Sequence, residues 1–522
     1  MKKTVTAILC AAILASMAAG CGKKEEQNTK SNMPAGEVSY PIKSDATLKL
    51  WMGLPAALGT SVKNFGETPF AKALTEKTGI KVEYLHPAQG QDAEVLNLLI
   101  ASGELPDIIQ TDWLARNPES SIAKNTIIAL NDLIDNYSPN LKKYLSENPD
   151  IDKSIKTDSG KYYVYPFIRN DEKLLSTAGI MVRSDWMKEL GLEMPETIDE
   201  WDKVLEKLKT KCDSVFSMTT GDLAYFCGAY DISNDLFIDD NGKVQYGAVT
   251  DNYFEYLKKM NEWYKKGYID NNFAITDLNL KNSNMLSGKA AVTFGAGGGQ
   301  MGLYLNTNSG KDFDLAAVPF ASSQKGKKAE FGNKQFKYSP INNAAITGKS
   351  KNKELAARFL DYSYSEEGEM LNNFGIEGES YEMKDGYPTY TDVITKNPDG
   401  LAMSQALPLY VRAANEGPFV QDARYIEQYY ALPQQQEALS VWGNNNHEKH
   451  AVPQITMTEE ETSEYSKIIN EITTYRDEMT VKFIVGSESL DNYKNYVSNI
   501  ENMNIKRALE IKQAAYERFL SR

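Results

Sequence analysis

The chain has 522 residues, 42% of them hydrophobic and 25% charged, with a formal net charge of −14. That apolar content is enough for a sizeable core and excludes a wholly disordered chain, while the acidic balance (pI near 5.0) argues against non-specific nucleic-acid binding and against electrostatic docking on anionic lipid. A mean hydropathy of −0.47 excludes a polytopic membrane protein, and the length suggests several domains or two large lobes.

Lys2 and Lys3 open the chain, and the apolar run Val5 to Met17 follows them. The run is too short to cross roughly 30 Å of hydrocarbon as a helix and has the size of a signal-peptide core. It ends in Ala18-Ala19-Gly20 just before Cys21, which resembles the lipobox of bacterial lipoproteins. That resemblance implies cleavage after residue 20 and acylation of Cys21; the common leucine at the first lipobox position is Ala18 here. Residues 21–45 then read as a polar tether. Of the remaining cysteines, Cys212 and Cys227 could form a disulfide outside the membrane or stay as free thiols. Neither belongs to a CxxC pair, so a metal or redox centre is not expected.

Along the folded part, residues 46–51 alternate as a strand, Phe70, Leu74 and Thr78 mark a helix stopped by Gly79, and residues 80–84 alternate again. Val95, Leu98, Leu99 and Ser102 form the stripe of a second helix ending at Gly103, and residues 107–109 read as a short buried strand. A second series starts after Gly160, with strands at 161–168 and 179–183. A helix follows, with Thr197 as N-cap and Glu200 in a capping box. Asn241-Gly242 predicts a hairpin over 237–244 rather than a calcium loop, because the alternation and terminal glutamate of an EF-hand are missing. Strands alternating with helices imply a parallel, helix-covered sheet, so the fold class is α/β. The last 120 or so residues are helix-dominated, with Ile505, Ala508, Leu509, Tyr516, Phe519 and Leu520 on one packing stripe.

The motifs that could carry catalysis fail on spacing. Gly297-x-Gly299-x-x-Gly302 follows a strand-like run, but no acidic residue stands about 20 positions on; a flexible glycine loop beside a cleft is the expectation. Gly348-Lys349-Ser350 has Asn343 where a phosphate loop needs its first glycine. His447-Glu448-Lys449-His450 is one residue short of a zinc-binding HExxH. No GxSxG elbow exists, and no catalytic constellation is identified.

Six stretches taken together resemble family 1 extracellular solute-binding proteins, in the lipoprotein branch that serves carbohydrate ABC importers. They are ASGELPDII (101–109), SGKYYVYPF (159–167), VRSDWMKELGLEMPETIDEW (182–201), SGKAAVTFG (287–295), NFGIEGESYEMKDGYPTYT (373–391) and FIVGSESLDNYKNYVSNI (483–500). The resemblance implies a two-lobed, type II periplasmic-binding-protein-like fold around a ligand cleft. Lobe I would take residues 46–168 with 320–375, and lobe II 169–319 with 376–522. The chain would cross near 168–171, 318–321 and 374–378, and binding would proceed by hinge closure. It further implies an oligosaccharide ligand, ABC permease subunits as partners, a membrane anchor through Cys21 on the extracytoplasmic face, a monomer, no cofactor and no catalysis. A surface glycosidase or lyase, and a ligand-sensing receptor module, are the competing readings.

A sugar needs flat aromatics and planar hydrogen-bonding groups. By position at strand ends and near the hinge, Trp51, Asp112, Trp113, Tyr165, Arg169 and Asn170 are candidates from the first lobe, and Tyr225, Phe294, Tyr381 and Trp442 from the second lobe and loops. Trp186 and Trp201 sit at helical positions and read as core. The tryptophan that follows the SGKAAVTF strand in maltose-type relatives has no counterpart in GAGGGQMG.

Overall fold

The computed structural model describes residues 34–59 and 61–522; the expected leader and the expected acylation site, Cys21, lie outside them. Two sheets organise the chain. The first has six strands in the order β14-β4-β11-β3-β1-β2, built from β1 (Thr47–Trp51), β2 (Lys81–Leu85), β3 (Ile108–Thr111), β4 (Tyr165–Arg169), β11 (Tyr338–Ile346) and β14 (Val420–Gln421). The second runs β10-β5-β9-β6, from β5 (Ala178–Arg183), β6 (Phe216–Ser217), β9 (Val292–Ala296) and β10 (Leu315–Ala317). Two hairpins complete the set: β7 (Leu236–Ile238) with β8 (Val244–Tyr246), and β12 (Tyr381–Lys384) with β13 (Tyr387–Tyr390).

Local signals place the first elements. Helix α1 (Pro69–Thr78) starts at Thr68, whose hydroxyl accepts from the Ala71 N–H, and ends at Gly79 in the left-handed region, φ 70°. Its Phe70 and Leu74 pack inward with Leu48 and Leu50 of β1 among the buried residues. Helix α2 (Asp92–Ser102) also ends on a left-handed glycine, Gly103. Its expected stripe is not its buried face: only Leu96 is buried, and Leu98 is 64% exposed. Helical spacing identifies residues that share a face but not which face the lobe covers.

The second sheet is covered on both sides because its strands alternate. Ile180 and Val182 join Trp201, Leu205, Leu257 and Trp263 on one face, with Phe483, Ile505 and Ala508 of the terminal helices. Met181 and Leu315 meet Met301, Tyr304, Ala438 and Trp442 on the other. The helix Ile198–Leu208 begins after Thr197 as expected, but no capping box forms there: the Glu200 carboxylate accepts instead from the Glu196 N–H at 2.9 Å. The 237–244 hairpin holds, with Gly242 at φ 74° and Asp239 accepting from the Asn241 and Lys243 N–H groups.

Three expectations about organisation change. Part of the 21–45 tether is docked: the Gly36 N–H donates to Asn136 O, Tyr40 packs edge-on against Tyr362, and Ile42 is buried. The chain does not leave the first sheet at 374–378, because β14 pairs in parallel with β4 through Val420–Ile168 and Gln421–Arg169. It joins the second sheet only with the helix Pro433–Gly443, whose Trp442 Nε1 donates to Ile180 O. A two-residue strand carries no periodic signal, which is why spacing misplaces this crossing. Finally, Cys212 and Cys227 are free; Cys227 is buried in the second core while Cys212 sits half-buried beyond the helix Ile198–Leu208.

Candidate functional site

The topology brings particular strand ends to the crossings. β4 ends at Arg169 and leads through 170–177 into β5, while β10 ends at Ala317 and leads through 318–337 into β11. Because β3 is antiparallel to β11 and β1 is parallel to β3, the carboxyl ends of β1 and β3 lie at that same edge. In the second sheet β9 is antiparallel to β5 and β6 is parallel to β9, so their carboxyl ends also meet the crossings. Ligands of open α/β sheets collect at such edges.

At the first edge a cavity of about 350 Å³ is lined by Met52 and Gly53 after β1, Asp92 of α2, Gln110 of β3, Asn342 of β11, and Arg412, Asn415 and Glu416. Each wall has a local cause. The β11 ladder is interrupted between Ser339 and Ala344; Asn343 repairs the break, accepting from Phe167 N–H at 2.7 Å and donating to Ser339 O. The bulge throws out Ile341, about half exposed, and Asn342 at φ 57°. Arg412 follows the helix Met403–Tyr410; its N–H is tied to Asn372 O, and Gly417 lets the guanidinium approach, since a Cβ there would stand 2.4 Å from Nη2.

The polar groups of this cavity are incompletely matched. Gln110, only 4% exposed, brings an amide to the cavity. The buried Nδ2 of Asn415 has no hydrogen-bond partner among the described residues. An unpaired buried donor costs about 1–3 kcal/mol, a cost that a ligand's oxygen would remove. Arg169, 8% exposed, donates Nη2 to Glu416 Oε1 at 2.7 Å and lies over the Phe167 ring. Burial pulls the Arg169 guanidinium down and pushes the Glu416 carboxyl up, while their mutual attraction opposes both shifts.

His86 supports the wall from behind. Its Nε2 accepts from the Phe65 N–H at 3.0 Å, so Nδ1 carries the proton and donates to Met52 O at 2.9 Å. Burial lowers its pKa, the Met52 hydrogen bond opposing. A folded-state pKa below the unfolded value gives stability that is present above the unfolded pKa and lost as pH falls through that range. Acidification below about pH 6.5 therefore protonates the imidazole of the unfolded chain first and favours unfolding; once Nε2 is protonated in the folded protein as well, the Phe65 bond is lost, at a cost of about 1 kcal/mol. The expected result is a melting temperature that falls between pH 7 and pH 5, and falls less in His86→Gln, followed by calorimetry.

The ten sequence candidates separate. Arg169 forms the cavity wall through Glu416, and Trp51 directly precedes Met52. Asp112 lies just past β3, its carboxylate accepting from the Ala115 N–H; burial raises its pKa against the pull of that bond and of Arg116. Asn170 is exposed at the first crossing. Tyr225 and Phe294 come together at the second edge as a stacked pair, centroids 4.6 Å apart and 6° from parallel, both half-buried. The other four are placed in the packing. Trp113 is fully buried with Nε1 donating to Ile109 O; Tyr165, at the amino end of β4, bonds Ser138; Trp442 packs against Gly179. Tyr381 is buried in a separate cluster with Phe374 and Tyr390. The expected flexible glycine loop is a helical turn, Gly297–Met301, closed over by Tyr429, Tyr430 and Gln435.

Sequence reasoning missed Gln110, Asn342, Arg412, Asn415 and Glu416. Gln110 had one available signal, an amide directly after the buried run Asp107-Ile108-Ile109. A larger recess, about 1270 Å³, lies beside the edge strand β10 and the helix Pro433–Gly443. Its lysines 173, 327 and 334 are paired with glutamates, Lys328 is exposed to solvent, and no unpartnered buried donor lines it. The smaller cavity is the better candidate on that ground. Among the described residues no cluster of His, Cys, Asp or Glu could hold a metal, and no helix is long and apolar enough to cross a membrane.

Comparison with known proteins places this geometry. Residues 60–370 match the family model described as bacterial extracellular solute-binding protein. The chain is 27% identical over 546 aligned positions to the fructooligosaccharide ABC transporter substrate-binding protein FusA of Streptococcus pneumoniae serotype 4, covering 98% of each chain. It is 26% identical to lipoprotein LipO of Bacillus subtilis over 72% of this chain and 73% of that one. The crystal structure of alginate-binding protein AlgQ2 without calcium ion superposes with a TM-score of 0.74 at 23% identity, over 92% of this chain and all of the other. The expected two-lobed α/β architecture is the one these neighbours share.

Proposed function

The chain belongs to the bacterial extracellular solute-binding proteins, and from that premise we propose that it captures an oligosaccharide between its two sheets and passes it unaltered to the permease of an ABC importer. The observation that carries this reading is a pair of amides, the buried Gln110 and the unpartnered Asn415, lining a cavity at the carboxyl edge of a sheet that three chain segments join to a second sheet. Such a set is an incomplete hydrogen-bond network that a polyhydroxylated ligand completes. The stacked Tyr225–Phe294 pair at the second edge offers the apolar surface that a sugar face requires. Ligand held from both edges favours the closed arrangement by its differential affinity for it.

Lobe I then comprises residues 46–169 with 338–430, and lobe II residues 178–317 with 433–522, in keeping with strand membership. Anchoring through acylated Cys21, a monomeric state and the absence of hydrolysis belong to the same reading. The anchoring is supported by the residues before Cys21 and by similarity to a lipoprotein, and the absence of hydrolysis by the description of FusA as a substrate-binding protein.

The test is a thermal-shift screen of the mature chain against oligosaccharides of plant and microbial origin. A ligand at 100 times its Kd adds about 2.7 kcal/mol to the native state. The expected result is a rise of a few degrees with one sugar class, the sugar being recovered intact by chromatography. Breakdown of the sugar would make the protein an enzyme, and a flat screen would remove the carbohydrate assignment.

A further inference from the structure

Arg412 is 5% exposed and sits in the wall of the first-edge cavity. Its partners are few. Nη2 donates to the Glu416 main-chain oxygen at 2.9 Å, Nη1 reaches only the Met52 sulfur at 3.9 Å, and the guanidinium plane lies 5.0 Å from the centroid of Phe65. No carboxylate pairs with it among the described residues. The other deeply buried arginines of this region and of the second lobe are each matched: Arg169 with Glu416, Arg183 with Asp185, Arg476 with Asp235 and Asp477. A buried guanidinium facing a carbonyl, a thioether and a ring keeps a charge that nothing on the protein neutralises.

Two acidic groups share the cavity, and neither answers that charge. Glu416 gives its carboxylate to Arg169, and Asp92 is exposed at the rim, where water screens it. The deep end of the cavity is therefore positive and the rim negative. Asn415 adds an unpartnered donor and Gln110 a second amide to the lining that holds Arg412. A guanidinium fork matches a carboxylate through two parallel N–H···O bonds, whereas a neutral sugar hydroxyl leaves the charge uncompensated.

We propose that this cavity receives the carboxylate of an acidic sugar residue, with Arg412 as the recognising cation and the Gln110 and Asn415 amides on neighbouring ligand oxygens. The proposal rests on the oligosaccharide-binding reading and narrows it to carboxylated oligosaccharides. The unpaired Arg412 then determines specificity, and Asp92 at the rim lies toward the hydroxyls of the next sugar unit.

The test is isothermal titration of the mature chain with trigalacturonate, trimannuronate and sialyllactose, each beside a neutral counterpart of the same length. The expected result is that at least one acidic sugar binds tenfold or more tightly than its neutral counterpart. Arg412→Gln should abolish that preference, and Arg412→Lys, which keeps the charge but not the fork, should retain part of it. Preference for a uronate or for the sialylated sugar identifies which acid is read. Equal or tighter binding of the neutral sugars overturns the carboxylate and leaves the oligosaccharide reading standing. So does a loss in Arg412→Gln that is the same for acidic and neutral sugars. Absence of binding by every sugar overturns both. The preference is measured first on the unsubstituted protein, so failure of a variant to fold does not remove the test.

Discussion

Replacing Trp113 by alanine is expected to lower stability by about 3–5 kcal/mol while changing ligand affinity of the folded protein less than tenfold. The indole is fully buried, and its Nε1 donates to Ile109 O at 3.0 Å, closing the turn that leaves β3. Truncation leaves a cavity where that ring stood and removes a buried hydrogen bond to the strand that carries Gln110. Calorimetry should show the melting temperature fall by roughly 10 °C, and titration below the transition should find the ligand still bound. A large affinity loss with an unchanged melting temperature would place the ring in the ligand site instead.

Arg169→Ala is expected to act in the opposite proportion, weakening ligand binding by at least tenfold. The substitution removes the partner of Glu416, a carboxylate in the cavity wall held by one 2.7 Å bond. Breaking a fully buried pair costs about 3–5 kcal/mol; here the side chains are 10% and 24% exposed, so about 2 kcal/mol is the expected stability loss after solvent screening. Burial already holds the Glu416 pKa up, and loss of Arg169 raises it further. A carboxyl group whose folded pKa exceeds its unfolded one contributes stability at low pH that is lost as pH rises. The penalty of Arg169→Ala should therefore be larger at pH 7.5 than at pH 5. The double variant Arg169→Leu/Glu416→Leu should recover most of the stability and none of the affinity, because no lone charge is left buried and the polar wall is gone. An equal penalty at both pH values would show that the unpaired Glu416 is not the cause.

How much was legible in the sequence differs between levels. Strands at β1, β2, β3 and β5, the helix ending at Gly79 and the Gly242 turn follow from alternation, helical spacing and residues suited to positive φ. Those are local properties, set by neighbours within a few positions. The capping box at Thr197 failed because a nearby N–H, that of Glu196, competed for the Glu200 carboxylate. The aromatic candidates are divided by packing. Trp113, Tyr165, Tyr381 and Trp442 went into cores, since the same apolar area that suits a sugar face is stabilised more by packing.

By itself, the sequence determined the α/β class and the family resemblance, because each is written in contiguous stretches. Only the tertiary structure decided the site. Gln110, Asn342, Arg412 and Glu416 are separated by up to about 300 residues and share a cavity because β3 and β11 pair, β14 joins β4, and a bulge turns Asn342 outward. What marks the cavity is a property no single position carries: the buried Arg412 charge and the buried Asn415 donor, whose partners the rest of the chain does not supply. Whether a polar group is left without a partner depends on every element packed around it, and that is settled only when the chain is folded.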